Sequence, residues 1–498
     1  MVADFIDPSS PYCFELLLGT SQGYRAPVGG ESSDGGHHDD SSRSGRGCSP
    51  GSSSWIHLDL LDRRLPCVDQ KGWTENPQKP GIYRVTDADI PTGYPVGHEV
   101  YDIRKDGSKA PRQQQHLFVV TGSNNSFDLR GVVFETPVSA QSKLSMAPHV
   151  ASSWDIDGAN NTFEGGYFRN ITDKAYPNYR VTENEFHVCN DGNSFLNCTF
   201  VIRGSLPYGY SDYYGKGGPN YGLINKHACL CIEHCNNTSL IGCRMYMQTF
   251  GHCLHFHTVD GVLIKGCLIC GTLRPTQDIF KEVAGRAKEY GFQIMYRGTR
   301  PIPHDEVIPL TEDAIRSYDN VQHIAVIDTT VMRQRDCVTL DCVGDITLEN
   351  VTVLEAGGSS YSLSAGEKGH VVMKNCRSDV AYNPVFNCDN YQNRSPKDSS
   401  FEVTILSPTE GVKPTPRSSL GFISGDHCLF ILHDGTTRPL PPDVNYLNCG
   451  GKRCALIDST VTNETSAKLI LNKNVINCII KSRGPVEDHG KGNKITKI

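Results

Sequence analysis

The chain has 498 residues, with 48 Lys and Arg against 55 Asp and Glu, a formal net charge of −7. A nucleic-acid binder normally shows a basic excess, so this balance argues against one. No run of about 18 apolar residues is present, which excludes a helical membrane span. The 20 cysteines are too dilute over this length for a small disulfide scaffold.

Residues 1–55 are irregular, and their second half is rich in Gly and Ser, the composition of a loop or arm. His37, His38, Asp39 and Asp40 lie inside it and read as a solvated linker before they read as a metal site. The apolar run Phe14, Glu15, Leu16, Leu17, Leu18 is short, carries an acid and lacks a basic lead, so it is no secretory signal. Sequons at Asn170, Asn197, Asn237, Asn350 and Asn463 nevertheless fit export, and an extracellular location is expected. The competing reading is that Asn simply sits at turns ahead of Thr-containing strands. Residues 56–115 suggest mixed strands forming an N-terminal cap.

From about residue 116 a repeat sets in. Each unit is a Gly/Asn turn, an alternating apolar strand, a polar corner and a second short strand. Val262, Leu263, Ile264, Lys265, Gly266, Cys267, Leu268, Ile269 is one example; Val371, Val372, Met373, Lys374, Asn375, Cys376 is another. The residues after the corner are Val132, Gly166, Cys198, Cys243, Cys267, Thr330, Val351 and Cys376. The shortest spacings, Cys243 to Cys267, Thr330 to Val351 and Val351 to Cys376, are 24, 21 and 25 residues. That is one coil of a parallel β-solenoid, and the longer spacings are a coil plus an insertion. A unit this small cannot bury its own apolar face, so neighbours must stack. Period-two alternation argues against helical repeats. The expected fold is all-β, a right-handed parallel β-helix over 116–498, with insertions at 204–226 and 271–311.

The turn–strand–Asn–Cys pattern, as in Lys374, Asn375, Cys376, resembles the pectate-lyase-like superfamily of right-handed β-helices. That resemblance implies a glycan-active protein, its branches including polysaccharide lyases and polygalacturonases. Relatives often use Lys or Arg as base with calcium on acidic residues; this chain departs from that in its concentration of His.

A third strand precedes each turn. In His252, Cys253, Leu254, His255, Phe256, His257 the alternation turns Leu254 and Phe256 inward and His255 and His257 outward. Sliding by one coil places Cys231 and Glu233 beneath them. The strands containing Arg316 and Tyr318, then Thr339 and Asp341, follow. The expected groove column is therefore His187, Glu233, His257, Tyr318 and Asp341, with His255, Arg316 and Thr339 beside it.

Two insertions should wall this groove. Residues 204–226 carry Tyr208, Tyr210, Tyr213, Tyr214 and Tyr221, aromatic planes suited to sugar rings. Residues 276–290 place Ile279, Phe280, Val283, Ala287 and Tyr290 on one helical face. Arg274 and Arg297 nearby suit carboxylate or sulfate.

The function expected is a polysaccharide lyase acting on an acidic, uronic-acid-containing glycan. β-Elimination needs a cation on the C6 carboxylate, a base for the C5 proton and an acid for the leaving oxygen. Arg316 suits the first, with Lys226 or Arg274 in reserve, His257 or His255 the second, and Tyr318 or another His the third. Glu233 completes the catalytic set; His187, Lys226, His252, Arg274, Arg297, Tyr208, Tyr210 and Asp341 are candidates for substrate binding. No cofactor is required by this chemistry; calcium, where it binds, would take Glu233, Asp313 and Asp341. A glycoside hydrolase drawing paired carboxylates from Glu233, Glu312, Asp313 and Asp341 is the alternative. A zinc or copper site on His252, His255 and His257 with Glu233 or Cys231 is another, and a non-catalytic glycan-binding solenoid a fourth. Cys198, Cys243, Cys267, Cys376 and Cys478 share one corner position and read as buried free thiols. Cys13, Cys48, Cys67, Cys449 and Cys454 are the disulfide candidates.

Overall fold

The computed structural model describes residues 81–86, 100–103, 109–112, 116–144, 152–172, 184–205, 207–215, 226–296, 298–366, 368–388, 395–410, 412, 419–451 and 454–498. All belong to one compact unit. The His37–Asp40 run, Cys13, Cys48, Cys67, Tyr221 and Arg297 lie outside the described residues.

Stacked parallel coils form a right-handed parallel β-helix. Among the described residues, a 21-stranded sheet carries the strands on either side of each corner, and a 13-stranded sheet carries the third strand of each coil. The sheet already begins at Ile82–Arg84, which pairs in parallel with Val133–Pro137. It runs to Lys494–Lys497 at the other end.

The corners explain the repeat. Asn197, Gly242, Gly266, Asp328, Asn350, Asn375 and Asn477 all have φ between 50° and 66°, a conformation that Gly, Asn and Asp adopt most readily. The residue that follows turns into the core: Cys198, Cys243, Cys267, Thr329, Val351, Cys376 and Cys478 are all buried. The corner residue at Asp328 makes Thr329, not Thr330, the anchor of its coil. Side-chain amides ladder between these corners, Asn375 Nδ2 donating to Asn350 Oδ1 at 2.6 Å and Asn350 Nδ2 to Asp328 Oδ1 at 2.8 Å. The turn reading of the sequons is therefore correct at these corners. Asn170 and Asn463 are 1% and 0% exposed, which rules out a glycan on either in the folded protein.

Inside, aromatic rings stack coil on coil. Phe163 lies 4.9 Å from Phe127 and 5.1 Å from Phe195; Phe168 lies 5.2 Å from Phe134 and 5.3 Å from Phe200. Every described cysteine, from Cys189 to Cys478, is a free thiol. Cys449 and Cys454 are thus not bridged to each other or to any other described cysteine, contrary to the expectation for them; both are buried.

The second insertion does not form one amphipathic helix. It folds as Thr276–Phe280 and Arg286–Glu289, interrupted where Gly285 takes φ 97°. Ile279 and Ala287 are buried, but Val283 is 90% exposed.

Candidate active site

The 13-stranded sheet fixes the register of the groove. Asp155 pairs with His187, His187 with Cys231, Cys231 with His255, His255 with Arg316, and Arg316 with Thr339. The neighbouring column is Glu233, His257, Tyr318. Asp341, two residues beyond Thr339 on its strand, continues that column. His187 thus belongs with His255 and Arg316, one column away from its expected place beside Glu233. Its ring still reaches Glu233 diagonally: Nε2 lies 2.9 Å from Glu233 Oε1 and Nδ1 lies 2.7 Å from Asp155 Oδ1. Burial would lower the His187 pKa, but its bonds to Asp155 and Glu233 raise it to about 10. It is fully buried, which removes it from direct contact with a substrate.

Three side chains meet on one aromatic ring. The His257 imidazole stacks on Tyr318 at 4.9 Å and 10°. The Arg316 guanidinium lies 4.8 Å from the centre of the same ring. His257 Nδ1 is held by Asp319 Oδ2 at 2.9 Å, which leaves Nε2 as the lone-pair nitrogen of the neutral ring. The His257 side chain is 31% exposed and that of Arg316 23%. Both can be approached from the groove.

Behind this surface the chemistry is fixed by burial. The Asp313 amide donates to His252 Nδ1 at 3.3 Å, so neutral His252 carries its proton on Nε2, 2.8 Å from the Tyr318 hydroxyl. Burial is the main cause that lowers the His252 pKa to about 4. Burial also raises Tyr318 to about 12, against the pull of Arg316. His255 is 9% exposed, and its Nδ1 is buried without a hydrogen-bond partner. Burial, with His252 and His257 on either side, pushes its pKa well below the ordinary histidine value. His252 and His255 are therefore covered, neutral rings, not the exposed groove residues that alternation implied: their side chains leave the core, but neighbouring groups close over them.

The carboxylates Glu312 and Asp313 precede the strand Ile315–Tyr318 and are almost fully buried. Glu312 Oε2 forms an ion pair with Lys226 Nζ at 2.8 Å. Arg335 reaches Glu312 Oε1 at 3.3 Å and Asp313 Oδ1 at 2.8 Å. Burial alone would raise the Glu312 carboxyl, but His252, Lys226 and Arg335 hold it well below the usual carboxylate range. Asp313 is likewise lowered, burial being overcome by Arg335, His252 and Arg316. Lys226 is committed to this cluster. Arg335 was missed from the sequence because it lies in the connection before a strand, where period-two alternation says nothing.

Other expected site residues are elsewhere. Tyr210 is 8% exposed and packs with Tyr213, Tyr214, Ile279 and Ala287 in the insertions' own small core, with Tyr208 against it. Tyr210 is thus no open platform for a sugar. Arg274 is held inside the insertion by Glu282 Oε1 at 2.5 Å and the Gly209 carbonyl at 2.9 Å, so it does not serve as a groove cation. The calcium set does not assemble: Glu233 and Asp341 are three strand intervals apart, about 14 Å, and Asp313 is clamped by Arg335. The histidine zinc or copper set does not assemble either: among the described residues, His252, His255 and His257 belong to no group of ligand atoms lying within 4.8 Å of one another.

No family model matches the chain, and no curated protein matches it. Solved structures resemble it weakly, three of them as follows. Endo-xylogalacturonan hydrolase from Aspergillus tubingensis is 11% identical, covering 76% of this chain and 85% of that one with a TM-score of 0.32. The Streptococcus pneumoniae surface protein and adhesin PfbA is 12% identical, with coverages of 77% and 88% and a TM-score of 0.21. DFA-IIIase from Arthrobacter chlorophenolicus A6, without its lid, is 10% identical, with coverages of 82% and 99% and a TM-score of 0.27. Likeness at this level carries no argument about chemistry; the architecture rests on the strand pairing itself.

Proposed function

We propose that this protein is a carbohydrate-active enzyme that cleaves an extracellular, uronic-acid-containing glycan by β-elimination. The observation that carries this reading is the convergence of His257 and Arg316 on the ring of Tyr318, open to the groove. Arg316 pairs with the C6 carboxylate and makes the C5 proton more acidic. His257 Nε2 takes that proton, with Asp319 steadying the imidazolium that forms. The electron pair of the C5–H bond becomes the C4–C5 double bond, and the C4–O bond breaks. The Tyr318 hydroxyl gives its proton to the leaving oxygen, and the Nε2–H of His252 stabilises the resulting phenolate.

Hydrolysis is less well served. It needs two accessible carboxylates at most about 9.5 Å apart. Glu312 and Asp313 are buried in ion pairs, and Glu233 and Asp341 are about 14 Å apart along the column. Incubation with alginate, pectate, glucuronan and glycosaminoglycans tests the choice. Elimination gives new reducing ends together with the ultraviolet absorbance of an unsaturated uronate; reducing ends without that absorbance would sink the lyase reading.

A further inference from the structure

Upstream of the proposed active site, the groove sheet carries a second concentration of ligand-type side chains that the proposed reaction does not use. Asp155 and Asp157 flank Ile156, the last residue of one strand, and His187 and Cys189 flank Val188, the last residue of the next. The register pairs Ile156 with Val188 and Asp155 with His187. All four side chains therefore leave the same face, while Trp154, Ile156, Phe186 and Val188 anchor both strands in the core beneath. The ligand atoms of Asp155, His187 and Cys189 all lie within 4.8 Å of one another. Cys189 Sγ is 3.6 Å from Asp157 Oδ1 and 4.0 Å from Asp155 Oδ1. Around zinc, with bonds of about 2.0 Å to N or O and about 2.3 Å to S, tetrahedral ligands sit roughly 3.3–3.5 Å apart. Asp155, His187 and Cys189 are within reach of one shared ion; Asp157 approaches Cys189 at 3.6 Å and would complete the set by a change of its side-chain torsion.

We propose that Asp155, His187 and Cys189, with Asp157 as fourth ligand, form a binding site for a divalent cation of the zinc class.

The donor types favour this class. A thiolate and an imidazole beside carboxylates suit zinc or cobalt and not calcium or magnesium. The outer shell fits too. His187 would ligate through Nδ1, and its Nε2–H is already aimed at Glu233 Oε1 at 2.9 Å, the carboxylate–histidine–metal arrangement that fixes a ligating ring. His116 Nε2 stands 3.7 Å from Asp155 Oδ2 and supports that carboxylate from the far side. Ligation through His187 Nδ1 and Cys189 Sγ requires both atoms to be deprotonated, so binding releases protons and weakens as pH falls.

Cobalt(II) titration of the metal-stripped full chain, followed by absorption spectroscopy, tests the site without reference to activity. The expected result is saturation at one equivalent, with tetrahedral d–d bands, a thiolate-to-cobalt charge-transfer band, and displacement of both by zinc. Cys189→Ser should abolish the charge-transfer band, Cys231→Ser should retain it, and Asp157→Asn should weaken binding roughly tenfold or more. Circular dichroism establishes that each variant is folded. A wild-type chain without a charge-transfer band, a band that survives Cys189→Ser, or one that depends on Cys231 would overturn the proposal.

Discussion

His257, Arg316 and Tyr318 come from two adjacent strands, and each is poised by a different partner. If Tyr318 is the acid, Tyr318→Phe should lower kcat by about 10²- to 10⁴-fold with little change in KM, because the ring and its stacking remain and only the proton is lost. Asp319→Asn should leave the fold intact and shift the acid limb of the pH–rate profile, since Asp319 acts through His257. Unchanged profiles in both variants would discard this assignment. A second residue-scale prediction concerns Asp379, which is buried beside Glu355. Its Oδ1 accepts from the Glu355 amide at 2.9 Å, and its Oδ2 is buried without a partner. Burial raises its carboxyl to about 7. The folded chain therefore holds a proton that the unfolded chain has already released above pH ~4. Stability falls as pH rises from there to about 7, and the full loss persists above it. Asp379→Asn keeps the acceptor but cannot ionise. It should be more stable than wild type at pH 8, by on the order of 2–4 kcal/mol, with that advantage gone at pH 4 in thermal unfolding.

At the scale of elements, the insertions behave as a small satellite unit with its own core. Tyr210, Tyr214, Phe250, Ile279, Ala287, Ile294 and Ile302 pack together. Arg274 locks this core by bonding Glu282 and the Gly209 carbonyl, and it lies 5.4 Å over the Tyr210 ring. Glu282 in turn accepts from the Tyr210 hydroxyl at 2.7 Å. Arg274→Ala leaves Glu282 partly buried without its cation, and the local cost should be about 1–3 kcal/mol. Hydrogen exchange should speed up in 207–215 and 273–296 and stay unchanged in the groove strands. Acceleration across the whole chain would show that the insertions are not energetically separate.

For the whole molecule, stability is shared between neighbouring coils. Phe195 ends the ring stack of Phe127 and Phe163, meets Phe186 and Phe200 edge-on and is fully buried, so Phe195→Ala should cost about 3–5 kcal/mol. Ile480, equally buried, lies on the last full coil and pairs only with Val461 and Ile495. Ile480→Ala should fray the C-terminal coils in hydrogen exchange while protection around Phe195 persists. Equal loss of protection at both sites for either variant would contradict the nearest-neighbour picture.

The sequence by itself determined the solenoid and most of its facing. A strand alternates with period two, and a corner needs a residue tolerant of positive φ, so Asn197, Gly242, Asn375 and the small residues after them are visible in the chain as a pattern. The same pattern made the corner cysteines legible as packing groups. It also brought His257, Tyr318 and Arg316 to adjacent strands across the 271–311 insertion, because the strand after the insertion has an alternation of its own to align. Across residues 204–226 the same alignment slipped, and His187 fell one column from its expected place. Only the tertiary structure decided which polar groups stay open. His255 and His257 are two residues apart on one strand face, yet one is covered and the other is not, because neighbouring side chains and not alternation set exposure. Arg335, Lys226 and Glu312 meet through connections that have no period to read. The aromatic insertion was legible as a cluster, but whether its rings face a sugar or each other is a matter of packing. Its own apolar residues, Ile279, Ala287 and Ile302, supply the partners that turn Tyr210 inward.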